Sequence, residues 1–224
     1  MFQDRHDAAL QLAARLSGYR GQHPLVLGIP RGGVPIAHGI AGALDAEFDV
    51  LMSRKIPHPL LPEYAIGAVN EEGWAYYSPF ADTVIRDPAD LDVEKLRQLD
   101  LIRRRRARYT PARKPLDIKN RLVIVVDDGL ATGATMIAAL QYVRARQPRK
   151  LVCAVPVASS EALGQIQPWV DEWVCLLTPA RLQGISLHYR HFPPVSDDEV
   201  VDWLKTPLSS SQDSHHEPEA TRLS

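Results

Sequence analysis

Residues 122–126 read Leu-Val-Ile-Val-Val and end at Asp127-Asp128-Gly129. Successive side chains of a strand point to opposite faces, so an unbroken apolar run needs cover on both sides. That is the situation of a central strand in a parallel sheet with helices above and below, not of an antiparallel strand with one wet face. The requirement narrows the fold more than any other stretch of the chain. The run is also too short to span a bilayer, and no other apolar segment approaches the roughly 20 residues that would.

The flanking sequence supplies matching units. Ala9, Leu12, Ala13 and Leu16 fall at helical spacing and predict one apolar helix face. Leu25 to Ile29 reads as a buried strand, Pro30-Arg31-Gly32-Gly33 as a tight turn, and Ala37, Ile40, Ala41 and Leu44 as the next helix. Phe48 to Met52 reads as a second strand, ending near the basic pair Arg54-Lys55. After the run at 122–126, Met136, Ala139, Leu140 and Val143 mark a helix, followed by strands at Leu151–Val155 and Trp173–Leu177 with a short helix near 160–167 between them. Repeated strand–helix units predict an α/β fold with a mostly parallel sheet flanked by helices.

Between residues 56 and 120 the alternation lapses. Glu63 to Val69 and Trp74 to Tyr77, joined by Asn70-Glu71-Glu72-Gly73, predict an inserted β-hairpin. Asp87-Pro88 offers a cap and first-turn proline for a long helix to about Tyr109, with Val93, Leu96, Leu99 and Ile102 as its apolar stripe. A final helix is expected from Ser196 to Lys205, and the polar tail 206–224 is expected to be disordered. Residues 1–205 are therefore read as one domain.

Charge is uneven. The chain as a whole carries a formal −1, yet Lys95 to Lys114 holds nine basic residues against the single acid Asp100. Such a segment suits either an anionic ligand or a solvated helix. Nucleic acid is disfavoured as a partner, because the arginines are not interleaved with aromatics and the domain is not basic overall. The charged N-terminus lacks a secretory core, and Cys153 and Cys175 lie in apolar segments as expected of buried free thiols; a cytoplasmic protein is the expectation.

In parallel α/β sheets ligands bind beyond the carboxyl ends of the strands. That rule selects residues 30–33, 53–55 and 127–135. The last is the richest: Val123 to Thr135 reads V-I-V-V-D-D-G-L-A-T-G-A-T. Gly129 and Gly133 let the backbone turn with amides inward, and the following helix adds its positive end, which together make a phosphate cradle. Thr132 and Thr135 can donate to the same oxygens. Asp127 and Asp128 can accept from sugar hydroxyls or hold magnesium, directly or through water. A sugar phosphate satisfies both halves. Asp-Asp-Gly alone is equally a polar strand-to-helix turn. No Gly-Lys-Ser/Thr occurs, and Leu27 to Val34 contains no G-x-G-x-x-G, which excludes the Walker and dinucleotide-binding motifs.

Over all thirteen positions this stretch resembles the phosphoribosyl pyrophosphate motif of type I phosphoribosyltransferases. The resemblance covers roughly residues 20 to 180. It implies a small C-terminal hood over the base, around Pro179 to Phe192 and continuing to residue 205, where Tyr189 and Phe192 could stack on a ring or pack in the core. It implies that Arg31, Gly32 and Gly33 form a pyrophosphate loop, with Arg54-Lys55 as the accompanying basic pair; an ordinary cationic strand end is the alternative for the pair. Substrate contacts are expected from Gly129, Leu130, Ala131, Thr132, Gly133, Ala134 and Thr135, catalytic and metal roles from Asp127 and Asp128, with Mg²⁺ as cofactor. The implied reaction transfers ribose 5-phosphate from phosphoribosyl pyrophosphate to a nitrogen base through a transition state of oxocarbenium character, the enzyme being a homodimer of nucleotide metabolism. A module that binds the donor or a nucleotide as a signal, without chemistry, is the competing class.

M-F-x-D-R at the start, L-G-I-P-R-G-G-V-P-I-A, residues 62–69 and V-S-D-D-E-V at 195–200 are similar to a bacterial and archaeal subgroup of stand-alone members whose base is not established. Enzymes for hypoxanthine or guanine generally carry an acid where Ala131 stands, so the resemblance speaks against an enzyme of that type, whereas adenine- and xanthine-type relatives also carry Ala there. A mobile cover over the site is expected from 80–115, a solvated amphipathic helix being the alternative. His188 and His191 are read as surface residues.

Overall fold

The computed structural model describes residues 1–58, 65–79, 81, 88–111 and 114–208. Its main sheet has five strands: Leu25–Gly28 (β1), Glu47–Val50 (β2), Leu122–Val126 (β6), Lys150–Val157 (β7) and Glu172–Leu177 (β8). They lie in the order β2-β1-β6-β7-β8, every neighbouring pair parallel. The sheet is covered on both faces, as the run at 122–126 requires. On one side Leu122, Ile124 and Val126 pack with helices α1 (Arg5–Arg15) and α2 (Gly33–Leu44). On the other, Val123 and Val125 meet Met136, Ile137 and Leu140 of α4 (Ala134–Arg144) and Leu163 and Ile166 of α5 (Ser160–Ile166).

The chain leaves β1 toward β2 on one side and leaves β6 toward β7 on the other. The adjacent carboxyl ends of β1 and β6 therefore diverge and leave a crevice at this switch point. The Ile29 amide donating to the Val126 carbonyl at 2.9 Å closes its floor.

A second, antiparallel sheet consists of Ser53–Pro57 (β3), Ala65–Asn70 (β4) and Ala75–Tyr77 (β5), in the order β3-β4-β5. The hairpin expectation holds from residue 65 onward; its first residues, Glu63 and Tyr64, lie outside the described residues. Asn70 fixes the turn by accepting from the Glu72 and Trp74 amides and docks it on α4 by donating to the Ala138 carbonyl and Gln141. The third strand is a correction. Strand β2 ends at Val50 because β1, its partner, ends at Gly28, and the chain then crosses into the second sheet. Arg54 and Lys55 thus follow β2 as expected, but within a strand of their own, β3. Ser-Arg-Lys-Ile-Pro is too polar to announce a strand; pairing with β4 creates it.

The long helix α3 spans Pro88–Tyr109; its expected cap, Asp87, lies outside the described residues. Its apolar stripe is corrected. Leu99 and Ile102 are buried, but Val93 and Leu96 are 59% and 63% exposed. The face turned inward carries Glu94 and Gln98 instead, because Gln98 serves Arg54 of β3 by accepting from its Nε at 2.7 Å. The expected cover over the site is, from 88 to 109, this docked helix and not a loop. Its cations are largely matched by acids: Arg104 with Asp100, Arg106 with Glu71, Arg108 with Asp198.

Helix α6 (Asp197–Lys205) starts with a reciprocal capping box between Ser196 and Glu199. The tail expected to be disordered, 206–224, falls mostly outside the described residues. Cys153 is buried as expected, whereas Cys175 is only half-buried; both are free. No helix among the described residues is long and apolar enough to cross a membrane.

Candidate functional site

A cavity of about 350 Å³ opens at the switch point. Three segments line it together with Ile185: Ile29 to Gly32 after β1, Ser53 to Lys55 of β3, and Asp127 to Met136 after β6. Every site residue expected from sequence lies on this wall except Gly33. Gly33 is buried at the start of α2, where a β-carbon would stand 2.5 Å from the Val126 carbonyl oxygen and 2.9 Å from the Asp127 α-carbon. Its task is to let helix and strand touch.

The loop after β6 is held from both sides. The Leu130 amide donates to the Val157 carbonyl and the Ser159 amide to the Leu130 carbonyl, while the Ser159 hydroxyl donates to the Ala131 carbonyl at 2.9 Å. Ser53 of β3 donates to the Thr135 carbonyl at 3.0 Å, joining the two sheets at the cavity wall. Gly133 has φ +77°, a left-handed turn that L side chains resist, and it leads directly into α4. Ala131 and Thr132 remain exposed toward solvent ahead of that helix start. A helix N-terminus of this kind presents backbone amides that can receive an anion.

Asp127 and Asp128 follow at the strand end. Asp127 accepts from the Asp128 amide at 2.8 Å. Burial, then the neighbouring Asp128 charge, holds the Asp127 carboxyl well above the usual range, despite that hydrogen bond and the nearby Lys55. Burial also raises Asp128, against the pull of Arg5. Arg5, from the first turn of α1, donates through Nη2 and Nε to Asp128 Oδ2 at 2.8 and 3.1 Å. Tyr189 donates to the Asp128 carbonyl at 2.8 Å.

The opposite wall is cationic. Arg31 is exposed and stands 3.9 Å from Asp197 of α6, which also faces Arg105 at 3.5 Å and accepts from the Tyr109 hydroxyl at 2.5 Å. Lys55 is exposed, and burial followed by the nearby Arg105 lowers the Arg54 guanidinium from its ordinary value. The peptide between Pro30 and Arg31 is cis.

The hood needs correction in two respects. Tyr189 is buried, packed between Phe2 and Phe192 with its hydroxyl spent on Asp128, and Phe192 lies under the Arg5 guanidinium. Neither ring is free to stack on a base, and the side chain at the cavity is Ile185. Moreover, the hood is built partly from the N-terminus. The Phe2 amide donates to the His188 carbonyl, and the Arg190 and His191 amides donate to the Phe2 and Gln3 carbonyls. His191 is exposed and His188 half-buried.

Sequence reasoning missed Arg5, and it did not single out Ser53 within the selected segment 53–55 or Ile185 within the expected hood. For Arg5 a signal existed. It shares the helical face of Ala9, Leu12 and Leu16, and a cation within an apolar stripe needs a buried acid. Nothing local pointed to Ile185.

A model of the phosphoribosyl transferase domain matches residues 3–189. Two Mycobacterium tuberculosis proteins, from strains CDC 1551 and H37Rv and each named "Putative phosphoribosyl transferase", are 42% identical over 208 residues, covering 91% of this chain. The chain spans only 46% of the length of these curated relatives, so they are not stand-alone domains of its size. The crystal structure of the protein TT1426 from Thermus thermophilus is 41% identical with a TM-score of 0.76, over 91% of this chain and 97% of that one.

Proposed function

Because the chain belongs to the phosphoribosyl transferase domain family, we propose that it transfers ribose 5-phosphate from phosphoribosyl pyrophosphate to a nitrogen base and releases pyrophosphate. The observation that carries the reading is the single cavity on which an amide cradle, two adjacent carboxylates and a cationic wall converge. Each matches one part of the donor.

In this reading the amides of 131–135, with the Thr132 and Thr135 hydroxyls, hold the 5-phosphate. Asp127 and Asp128 accept from the ribose hydroxyls. The bond from C1 to the pyrophosphate oxygen breaks as the bond from C1 to the base nitrogen forms, and the carboxylates offset the positive charge that develops on the ring. Arg31, Lys55 and Arg54 balance the charge of the leaving pyrophosphate. Ile185 gives the base an apolar wall, and Ala131 offers it neither proton donor nor acceptor, which favours an acceptor that does not depend on an acid at that position.

The residues fit magnesium. Two half-buried carboxyls, both raised by loss of solvent, would be eased by a cation, and the donors here are oxygens. No group of three or more His, Cys, Asp or Glu side chains poised for a metal occurs among the described residues, so the ion would share Asp127 and Asp128 with donor oxygens and water. When bound, it would supply charge neutralisation for the pyrophosphate.

The test is incubation with phosphoribosyl pyrophosphate, Mg²⁺ and a panel of purine and pyrimidine bases, reading pyrophosphate release. Release with at least one base is expected. Donor binding without release for any base would replace catalysis with sensing, and failure to bind ribose 5-phosphate would overturn the reading altogether.

A further inference from the structure

We propose that Arg5 is a positioning residue that sets which oxygen of Asp128 faces the ribose and couples the hood to that contact. The proposal rests on the reading above, that the cavity takes a ribose phosphate. Arg5 is only 8% exposed, 123 residues away from Asp128 in sequence, and all three of its guanidinium nitrogens donate hydrogen bonds. Nε and Nη2 both donate to Asp128 Oδ2, Nη1 donates to the Pro193 carbonyl at 2.8 Å, and the plane lies 3.7 Å from the Phe192 ring centroid.

The geometry of the pair is the telling feature. Arginine–carboxylate pairs frequently form the parallel fork, one N–H to each oxygen, which engages both. Here both N–H groups converge on Oδ2, so Oδ1 is the oxygen left for a ribose hydroxyl. Oδ2 is confined from the other side as well. A β-carbon on Gly32 would stand 1.8 Å from it, so the pyrophosphate loop leaves room for this rotamer only by lacking a side chain. Tyr189, by donating to the Asp128 carbonyl, fixes the backbone of the same residue. Arg5 and Tyr189 sandwich Phe192 between them and bring the hood, through Pro193, to the carboxylate. A lysine cannot replace this. Its single ammonium on a flexible stem cannot meet Asp128 and Pro193 with fixed direction while lying flat on a ring.

The test is calorimetric titration of the full chain with two probes, ribose 5-phosphate and inorganic phosphate. Inorganic phosphate reports the anion contacts of the cavity without those to the ribose hydroxyls. Arg5→Gln is expected to weaken ribose 5-phosphate at least tenfold and to leave inorganic phosphate within about twofold. Arg5→Lys should recover part of the loss, and in an Asp128→Asn background Arg5→Gln should add little, since the residue it positions is already disabled. If Arg5→Gln does not fold, the same comparison is made with Arg5→Lys. Loss of both probes in equal measure, additive losses with Asp128→Asn, or unchanged ribose 5-phosphate affinity would each overturn the positioning role. Wild-type protein that binds phosphate but not ribose 5-phosphate would instead sink the parent reading, and this proposal with it.

Discussion

Gly32→Ala tests the packing around the carboxylate pair most directly. Gly32 has φ −64° and ψ −31°, a conformation alanine adopts freely, so any cost comes from space and not from backbone strain. The new methyl would lie 1.8 Å from Asp128 Oδ2 and 2.4 Å from its Cγ. One of them must move. Overpacking of this kind costs about 1–3 kcal/mol. If Asp128 yields, it gives up Arg5, and separating a buried pair costs about 3–5 kcal/mol. The two side chains are 10% and 16% exposed, so some of that is relieved by water. We expect a loss of about 3 kcal/mol, which for a domain this size is a fall of about 6–12 °C in Tm. Gly164→Ala is the control: nothing lies within 4 Å of its added carbon, and alanine within α5 should be neutral or slightly stabilising. Thermal unfolding and ribose 5-phosphate titration read both effects. A Gly32→Ala protein melting within about 2 °C of wild type with unchanged sugar-phosphate affinity would show that Asp128 is not confined as described.

Asp128→Asn should weaken donor use by roughly tenfold or more with the fold retained, checked by pyrophosphate release and circular dichroism; unchanged kinetics would remove Asp128 from the site. Although burial pushes the Asp197 carboxyl up, the Tyr109 hydrogen bond and then Arg105, Arg31 and Arg108 outweigh it and hold the group below its ordinary value of 3.8. Its contribution to stability is thus present above pH 3.8 and fades as pH falls through the lowered value. Asp197→Ala should cost about 1–3 kcal/mol at pH 7, because the buried Tyr109 hydroxyl loses its acceptor. Urea midpoints should show that gap narrowing below about pH 4; a gap constant down to pH 3 would contradict the assignment. Leu99→Ala should cost about 2–5 kcal/mol while Leu96→Ala stays within about 0.5 kcal/mol, a contrast that checks the buried face of α3. Arg31→Ala should weaken pyrophosphate binding several-fold and flatten its salt dependence, read by titration at two ionic strengths.

Local pattern was sufficient wherever one segment carried its own signal. The unbroken run at 122–126 demanded a strand covered on both faces, and helical spacing at 9–16, 37–44 and 136–143 supplied the covers. Because ligands bind where such strands end, the same strings placed the loops at 30–33 and 127–135 at the cavity, where all but Gly33 line its wall. Pairing across the chain was not legible. Strand β3 exists because β4 completes its ladder, the inward face of α3 carries the Gln98 that Arg54 meets, and the Tyr189 hydroxyl is spent on the Asp128 carbonyl. Arg5 meets Asp128 only after α1 has packed on the sheet, and the hood takes shape only when Phe2 joins it. Periodicity reports which side of an element avoids water, and a short motif reports the chemistry one loop can offer. Which buried polar groups satisfy one another is settled by closure of the whole chain, since those partners lie far apart until the core brings them together.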